Sequence, residues 1–381
     1  MKVAMIGHKV VPSRRGGIEN VLTSLCPLLA ESGVDVTCYN RSSDKVENEY
    51  VDTVVDNKYR NVTLKKAWTI EARGISAMIS SFTAAISATF AGFDVLHFHA
   101  EGPCAAMWIP KMFGKRCVAT VHGLDWQREK WGKSFASKYI KFGERVMVKC
   151  ADEIIVLSES AKDYFKQTYG RDTVLIHNGI EKPIKREADK ITQTYGLLKN
   201  EYICTVSRLT AEKGLHYLIQ AYNNVKTDKK LVIAGDTSDT DEYVASLKKM
   251  AADNPNIIFT GFISGDLLAE IYSNAYIVIV PSDIEGMSIS LLEALAYGNA
   301  VLCSDIPENT LVTEDKAIHF KKSKVVDLQE KLQKMCDDKS IVENIKNGVD
   351  EFILEKYNWN DVAVATHNLY KNVLKNKKKG N

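Results

Sequence analysis

The chain has 381 residues, of which 45% are hydrophobic and 26% are charged, as in soluble globular proteins large enough for two ordinary domains. Its 50 Lys and Arg residues nearly balance its 48 Asp and Glu residues, and the formal net charge of +2 points to no particular partner. The basic residues are too scattered to form a nucleic-acid-binding groove, which argues against that class of protein.

The cysteines and the first residues indicate a reducing compartment. None of the eight cysteines forms a C-x-x-C pair, and several lie in apolar, strand-like runs, where a thiol behaves as a small hydrophobic group. Met1 to Gly7 reads directly as a strand and carries no basic-apolar leader pattern. We therefore expect a cytoplasmic protein.

Short apolar runs alternate with helical stretches through the first half of the chain. This alternation is typical of βαβ units that build a parallel sheet with helices on both faces. The clearest helices of this half are predicted at Ile18–Ser32 and Ser134–Cys150. Strands are predicted at Val3–Gly7, Val34–Asn40, Thr63–Ile70, Val95–His97, Cys117–His122, Glu153–Ser158 and Val174–His177.

Residues 74–93 form an uncharged segment that is long enough in principle to span a bilayer. The segment is rich in Ser, Thr, Ala and Gly, and it runs directly into the predicted strand at Val95–His97. These features favour a helix packed against the sheet. Contact with a membrane surface is the second interpretation.

The alternation pauses at residues 181–200, a polar stretch with Pro183 and a short helical pattern but no strand, which we predict to be a linker. The predicted fold class is α/β, with two doubly wound, Rossmann-like parallel-sheet domains, 1–182 and 183–358, that face a cleft. Ligands are expected beyond the carboxyl ends of the strands. Strands of the second domain are predicted at Tyr202–Ser207, Lys230–Gly235, Ile257–Thr260, Tyr276–Pro281, Ala300–Ser304 and Ala317–Phe320, and a last helix at about Trp359–Lys375.

The most informative motif follows a predicted apolar strand, where a short acidic loop leads into a helix that begins near Met287 or Ser288. The start of such a helix presents backbone N–H groups and a partial positive charge, which suit a diphosphate. Gly286 lets a ligand approach the backbone closely. Glu285 and Glu293 are predicted to flank an extended ligand, with Glu285 on sugar hydroxyls and Glu293 on a ribose.

A second motif, SRLTAEKG at residues 207–214, follows the first predicted strand of the second domain. Arg208 is predicted to bind phosphate oxygens through its guanidinium fork, and Lys213 to act as a point charge. Together they would stabilise the charge that builds on a departing diphosphate, so we expect no metal requirement.

The first domain offers two further candidates after its strands. The pair Gly16-Gly17 opens a helix and allows close approach of a phosphate or sugar. It is not the G-x-G-x-x-G fingerprint, which disfavours a nicotinamide-dependent dehydrogenase. His122 is predicted to bind the transferred sugar or the acceptor, and Asp125 to orient an acceptor hydroxyl or act as its base.

Two patterns are weak metal candidates. His97 and His99 alternate along one predicted strand but lack an evident third ligand. Asp239 and Asp241 form a D-x-D pattern in a polar stretch that is typical of a solvated turn. We therefore expect no metal site and no cofactor.

Taken together, these motifs resemble the retaining glycosyltransferases of family 4. The resemblance spans nearly the whole chain, and its most specific part is the E-x7-E pattern from Glu285 to Glu293 in its strand–loop–helix context. GHKVVPSRRGGIEN and HGLDWQREKWG also resemble a bacterial polysaccharide-assembly subgroup that is often described as rhamnosyltransferase-like. The other matching stretches are GGIE at 16–19, SRLTAEKG at 207–214, AGD at 234–236 and FTGFIS at 259–264.

The resemblance implies the GT-B fold, with a C-terminal helix at about 359–381 packed back on the first domain. It implies metal-independent transfer of a hexose, with retention of configuration, from a UDP, GDP or dTDP donor to a glycan or lipid-linked glycan. No carboxylate is clearly placed as a nucleophile, which favours front-face reaction over a covalent intermediate. At matching positions the resemblance implies that Arg208 and Lys213 contact the donor diphosphate. It implies that Glu285 contacts the donor sugar and Glu293 the ribose. Gly16 and Gly17 would then lie near the phosphates, and His122 near the sugar.

A lipid-linked acceptor would bring the protein to the inner face of the cell membrane. Basic residues from Lys130 to Lys149, with Trp126 and Trp131 nearby, suit peripheral contact with an anionic leaflet. Two other functions remain open at this point, a nucleotide-sugar epimerase on the same fold and a non-catalytic nucleotide-sugar sensor. An epimerase would release no nucleotide, and a sensor would bind the donor without turnover.

Overall fold

The chain divides into two compact units. Unit 1 comprises Met1–Gly179 with Asn358–Asn381, and unit 2 comprises Ile180–Tyr357. The sequence predicted the first boundary at 182/183, and the structure divides the chain at 179/180. The computed structural model describes residues 1–42, 53–72, 75–124, 135–236 and 241–378.

Unit 1 is built on one sheet of eight strands in the order β3-β4-β2-β1-β5-β6-β7-β8. In chain order its elements are β1 (Lys2–Ile6), α1 (Gly17–Glu31), β2 (Asp35–Arg41), β3 (Lys58–Tyr59), β4 (Val62–Ala67), α2 (Ser76–Phe90), β5 (Val95–His99), α3 (Trp108–Met112), β6 (Arg116–Val121), α4 (Phe135–Cys150), β7 (Glu153–Val156), α5 (Glu159–Tyr169), β8 (Val174–Leu175) and, at the end of the chain, α15 (Trp359–Lys378).

The central strands of this sheet are short apolar runs buried on both faces. All of β5 is buried, as is β1 except for its first residue, Lys2. This burial pattern is expected for parallel strands that are covered by helices on both sides. The parallel register aligns Met5 of β1 with His97 of β5, and His99 of β5 with Thr120 of β6. The carboxyl ends of β1, β5 and β6 therefore meet at one edge of the sheet.

Two features of unit 1 differ from the sequence-based prediction. The strand predicted at Thr63–Ile70 ends at Ala67, and a two-residue strand, β3, pairs antiparallel with it. The turn between β3 and β4 contains Arg60 and Asn61, both with positive φ. The sequence did not predict β3 because a strand of two residues is too short to show an alternating pattern.

The last helix belongs to unit 1. α15 packs against α1, and the Tyr370 hydroxyl lies 2.7 Å from Nδ1 of His97 on β5. A Cβ at Gly179 would lie 2.7 Å from the backbone of Trp359, so only glycine allows the chain to approach the start of α15 here.

Unit 2 contains a second sheet of six parallel strands in the order β11-β10-β9-β12-β13-β14. In chain order its elements are α6 (Lys190–Tyr195), β9 (Tyr202–Val206), α7 (Leu215–Tyr222), β10 (Lys230–Ala234), α8 (Asp241–Ala251), β11 (Ile257–Gly261), α9 (Gly265–Asn274), β12 (Ile277–Val280), α10 (Ile289–Ala296), β13 (Ala300–Ser304), α11 (Pro307–Thr313), β14 (Ile318–Phe320), α12 (Val325–Asp337), α13 (Lys339–Lys346) and α14 (Val349–Lys356).

The segment 181–200, which the sequence predicted as a linker, is attached to unit 2. The buried Glu270 carboxylate on α9 accepts hydrogen bonds from the backbone N–H groups of Asp189 and Ile191, each at 3.0 Å. Asn274 on the same helix donates a hydrogen bond to the Arg186 carbonyl. Most residues of the segment are exposed, but polar side chains of α9 satisfy part of its backbone.

Both units thus have the α/β fold class that the sequence predicted, each with a doubly wound sheet that is parallel apart from β3 in unit 1. The carboxyl edge of each sheet is where the motifs of the sequence are found. Among the described residues, no helix has both the length and the apolar character that a membrane span requires.

Candidate functional site

Two loops of unit 2 lie side by side because the strands before them are neighbours. β9 pairs with β12, with Cys204 opposite Val278, so the loops at 207–214 and 281–288 leave the same sheet edge. The N–H of Asp283 donates a 2.8 Å hydrogen bond to the carbonyl of Glu212, which joins the loops directly. Gly214 has φ +66°, and a Cβ there would lie 2.0 Å from the Pro281 carbonyl oxygen. Glycine is therefore required for this contact.

The structure brings Lys213 and Glu285 together across these loops. The Lys213 Nζ lies 2.6 Å from Glu285 Oε1, and the two side chains are only 13% and 8% exposed. A charge-assisted hydrogen bond of this length in a largely buried setting fixes both side chains more firmly than a surface ion pair would.

Arg208 is also held beside a carboxylate. Its Nη2 lies 3.6 Å from Oε1 of Glu212, which is itself buried, whereas the Arg208 side chain is 42% exposed. Neither carboxylate oxygen of Glu212 accepts a hydrogen bond from the described residues. The two predicted phosphate-binding cations therefore each lie within ion-pair distance of a glutamate.

Glu212 is a site residue that the sequence analysis missed. It lies between Arg208 and Lys213 in the SRLTAEKG motif. An acidic residue between two basic ones was the feature of the sequence that could have identified it as a site residue. Its burial was not readable, because it depends on the 3-10 turn at Ala211–Lys213, which turns this side chain away from solvent.

The helix after the acidic loop begins slightly later than predicted. α10 starts at Ile289, and the Ser288 hydroxyl accepts a 3.3 Å hydrogen bond from the N–H of Leu291 as its N-cap. Met287 is buried, and Gly286 precedes it on the loop. Since the cap already satisfies one N–H of the first turn, the helix start offers fewer free donors to a ligand than the sequence suggested.

Glu293 lies within α10, whereas Glu285 lies before the helix, so helical geometry does not relate the two glutamates. The hydroxyl of Tyr272 donates a 3.3 Å hydrogen bond to Glu293 Oε2. Burial, together with the neighbouring Glu293 carboxylate, raises the pKa of Tyr272 well above its ordinary value, which keeps the phenol protonated as a donor. The Tyr272 ring also stacks on Tyr297, with ring centroids 5.2 Å apart.

In unit 1, Gly16 is the N-cap of α1 and Gly17 is its first residue. A Cβ at Gly16 would lie 1.9 Å from Oε2 of Glu19, whereas a Cβ at Gly17 would meet nothing within 4 Å. The Glu19 carboxylate is buried and accepts a 2.7 Å hydrogen bond from the N–H of Lys9. Gly16 thus makes room for this internal contact, and Gly17 leaves open space at the helix start.

His122 is joined to His99, a contact that the sequence did not predict. His99 ends β5 and His122 follows β6, and Nδ1 of His99 lies 3.1 Å from Nε2 of His122. His97, one of the two residues considered as metal candidates, instead lies 2.8 Å from the Thr120 hydroxyl, in addition to its contact with Tyr370. These histidines line a cavity of about 20 Å³, which is the space of one water molecule.

Burial keeps the inner histidines neutral. It lowers the pKa of His97 to about 3, and it lowers the pKa of His99 well below the ordinary value. Neighbouring imidazoles add to both effects, since a second positive charge would be repelled. A neutral His99 can form one hydrogen bond with His122, which is half-buried at the sheet edge.

Several predicted positions lie outside the described residues, namely Asp125, Trp126, Lys130, Trp131, Lys133 and Asp239. Within the described residues, no group of three or more side chains is arranged to hold a metal ion. The structure therefore brings together Arg208, Glu212, Lys213 and Glu285 in unit 2, and separately His99 with His122 in unit 1.

Two doubly wound units, with cations and carboxylates at the sheet edge of unit 2, have the fold of the GT-B class of proteins. Residues 15–182 match Glycosyltransferase Family 4, and residues 187–352 match Glycosyl transferases group 1. The chain belongs to these family 4/group 1 glycosyltransferases.

Relatives with assigned activities have low sequence identity to this chain, but the similarity covers most of its length. The chain is 24% identical to alpha-maltose-1-phosphate synthase of Mycolicibacterium smegmatis, over 98% of this chain and 100% of that one. It is also 24% identical to the capsular polysaccharide biosynthesis glycosyltransferase CapM of Staphylococcus aureus, over 68% of this chain and 70% of that one.

Solved structures share the fold at low sequence identity. Sucrose-phosphate synthase from Thermosynechococcus elongatus superimposes with a TM-score of 0.84 at 19% identity, covering 98% of each chain. Anabaena Alr3699/HepE, in complex with UDP-glucose, superimposes with a TM-score of 0.81 at 15% identity, covering 98% of this chain and 100% of that one.

Proposed function

We propose that the protein transfers a hexose from a nucleoside-diphosphate donor to a glycan or lipid-linked glycan acceptor in cell-surface polysaccharide synthesis. The observation that carries the proposal is the joined pair of loops in unit 2, where Lys213 and Glu285 lie 2.6 Å apart and Arg208 stands on the same loop as Lys213. Two cations and a carboxylate at one sheet edge can bind a diphosphate and an adjacent sugar together.

In this proposal each side chain has one role. Arg208 and Lys213 bind the diphosphate and stabilise the charge that develops on it as the bond to the sugar breaks. Glu285, on the loop, binds hydroxyls of the donor sugar. Glu293, held by Tyr272, binds the ribose of the nucleoside.

Transfer without a metal ion follows from these roles. Arg208 supplies up to five N–H donors and Lys213 a compact ammonium, so the leaving diphosphate is neutralised by the protein itself. We expect chelation by EDTA to leave both donor binding and transfer unchanged. A requirement for added Mg²⁺ or Mn²⁺ would contradict this part of the proposal.

We further propose that transfer retains the anomeric configuration by departure and attack on one face of the sugar. In this proposal Glu285 binds hydroxyls of the donor sugar beside Lys213, which makes it a group that orients the sugar and not the nucleophile. The anomeric configuration of the product, read by NMR, tests retention. A glycosylated enzyme trapped in the Glu285→Gln or Asp125→Asn variant would contradict the front-face route.

In unit 1, His122 is proposed to contact the transferred sugar or the acceptor, with His99 fixing its ring through the 3.1 Å contact. Gly16 and Gly17 are proposed to lie near the donor phosphates, and Asp125 to orient the acceptor hydroxyl. The similarity to CapM, whose name places it in capsular polysaccharide biosynthesis, supports a glycan acceptor.

A thermal-shift screen tests the donor class first. UDP, GDP, dTDP and ADP are compared with the corresponding monophosphates, and UDP-glucose and dTDP-rhamnose are included, each with and without EDTA. UDP-glucose is chosen because the similar HepE structure contains it, and dTDP-rhamnose because of the rhamnosyltransferase-like N-terminal motif. One diphosphate should raise Tm more than its monophosphate does, since the cations bind both phosphates. Equal rises in Tm with the diphosphate and with its monophosphate would contradict diphosphate recognition.

A further inference from the structure

The helix α2 exposes large apolar side chains on one face and buries small side chains on the opposite face, while Phe82 packs partly against the core. Ile75, at its N-cap, and Ile86 and Phe90, within it, lie within an arc of about 60° at 100° per residue, and all three are exposed. The opposite face packs inward through small residues that let the helix lie close to the sheet. These buried residues are Ser80, Ser81, Ala84, Ala85, Ala88 and Thr89.

This exposed apolar surface continues onto α3. α2 packs against α3, and the rings of Phe90 and Phe113 meet edge to face with centroids 4.9 Å apart. Phe90 is 68% exposed, Phe113 is 56% exposed and Met112 is 73% exposed, although such side chains are usually buried. The apolar ridge, as we name it, consists of Ile75, Ile86, Phe90, Trp108, Met112 and Phe113.

Exposed apolar side chains grouped on two packed helices favour a partner that covers them. Single exposed apolar residues are ordinary on protein surfaces, but a run of six over two packed helices marks an interaction site. The ridge extends for about 22 Å along α2, from Ile75 to Phe90, at 1.5 Å per residue. That length suits a helix that lies flat along an interface.

The neighbouring helix α4 supplies positive charge. It packs against α3 and against the 3-10 turn at Pro103–Ala106, which α2 also contacts. The only acidic residue of α4, Glu144, is buried. The exposed cations fall within an arc of about 80° and are Lys138, Lys141, Arg145 and Lys149.

We propose that the apolar ridge, with the basic face of α4 beside it, docks unit 1 on an anionic lipid bilayer. Aromatic and aliphatic side chains would enter the headgroup region while the lysines contact anionic lipids. A second copy of this chain fits less well, because a twofold-symmetric contact through this surface would bring two basic helices toward each other. This inference goes beyond sugar transfer and does not depend on the identity of the donor.

The test is sedimentation of the full chain with vesicles. Binding is compared on phosphatidylethanolamine/phosphatidylglycerol vesicles and on neutral phosphatidylcholine vesicles, at low and at high salt. We expect binding to the anionic vesicles that weakens with salt, and at least a tenfold loss in the double variant Phe90→Ser/Phe113→Ser. The charge reversal Lys138→Glu/Lys149→Glu should abolish the preference for anionic over neutral vesicles.

The matched control is Leu311→Ser/Val326→Ser, which removes two similarly exposed apolar side chains from unit 2. It should bind vesicles as the wild type does. Gel filtration and thermal unfolding check that every variant is folded. The proposal is overturned if the wild type does not bind anionic vesicles at low salt, if Phe90→Ser/Phe113→Ser binds equally well, or if the ridge instead mediates a dimer that this variant dissociates.

Discussion

The ammonium of Lys213 lies 2.6 Å from the carboxylate of Glu285, and neither side chain is substantially exposed to solvent. If both residues bind the donor, as proposed, the diphosphate competes with Glu285 for the Lys213 ammonium. Glu285 is then released toward the sugar. Binding of the diphosphate and orientation of the sugar are thereby coupled through one ion pair.

Glu285→Gln should bind the free nucleoside diphosphate more tightly while transferring sugar poorly. Removal of the carboxylate leaves Lys213 without its charge partner, so we expect affinity to rise about fivefold for the loss of an interaction of about 1 kcal/mol. Transfer should fall by about 100-fold or more because the sugar loses its positioning group. Calorimetric titration and a transfer assay measure the two effects.

Glu314→Gln is the control for this variant, because it breaks a more exposed Lys–Glu ion pair, that with Lys356, elsewhere in unit 2. It should change neither the affinity for the nucleoside diphosphate nor the rate of sugar transfer. A Glu285→Gln variant that binds the diphosphate more weakly than the wild type would refute the coupling.

Tyr272→Phe should weaken donor binding without slowing the chemical step. The lost hydroxyl orients Glu293, and a hydrogen bond of about 1 kcal/mol corresponds to about a fivefold rise in the KM of the donor, with kcat unchanged. Tyr276→Phe removes another buried hydroxyl of unit 2, one that bonds the Met335 carbonyl, and should leave KM unaltered. Equal kinetics for the two variants would argue against Glu293 as a ribose ligand.

Gly214→Ala should destabilise unit 2 far more than Gly348→Ala. Both glycines have positive φ, +66° and +68°, so both alanines incur a conformational cost of about 1–2 kcal/mol. Only at Gly214 does the new Cβ also collide with a backbone oxygen, that of Pro281. We expect a total loss of more than about 3 kcal/mol there, measured by urea unfolding, whereas similar losses in both variants would mean that the loops are not in close contact.

Stability should fall as the pH falls from about 6.5 toward 4. Burial lowers the pKa of His97 to about 3 and that of His8 to about 4, so in this window the unfolded chain binds more protons than the folded one. For His97 alone, the free energy of unfolding should be about 2 kcal/mol lower at pH 5 than at pH 7. His97→Gln should remove that part of the pH dependence, whatever it does to stability at pH 7.

Urea unfolding of wild type and His97→Gln at pH 7 and pH 5 measures this difference. His367→Gln serves as the control, because that histidine lies half-exposed on α15 and contributes less. An unchanged pH dependence in His97→Gln would show that His97 is not held neutral in the folded protein.

The strands and the class of fold were predictable because parallel buried strands are continuous apolar runs. Every strand predicted from such a run is present, including Val95–His97 within β5 and Ala300–Ser304 as β13. The two-residue strand β3 was missed because it is too short to show a pattern. The attachment of residues 181–200 to α9 was missed because it depends on Glu270, some eighty residues away.

The candidate site was predictable as a set of motifs but not as a set of contacts. The sequence placed Lys213 and Glu285 on loops after strands, and neighbouring strands then determined that the loops would meet. The sequence could not show that these two residues pair with each other, nor that His99 contacts His122, because side-chain packing across a sheet edge sets both. For residues 74–93 the sequence offered membrane-surface contact as a second interpretation, but it could not show which face of α2 is exposed, because that depends on how the helix packs on the sheet.

The most direct test of the central claim is a calorimetric titration of the best nucleoside diphosphate from the screen into wild type, Arg208→Ala and Arg186→Ala. Arg186 forms an exposed ion pair with Asp266 in the same unit and serves as the matched arginine. If Arg208 binds the donor diphosphate, Arg208→Ala should lose at least tenfold in affinity while Arg186→Ala binds as wild type does. Equal affinity in all three proteins would contradict the proposed donor site.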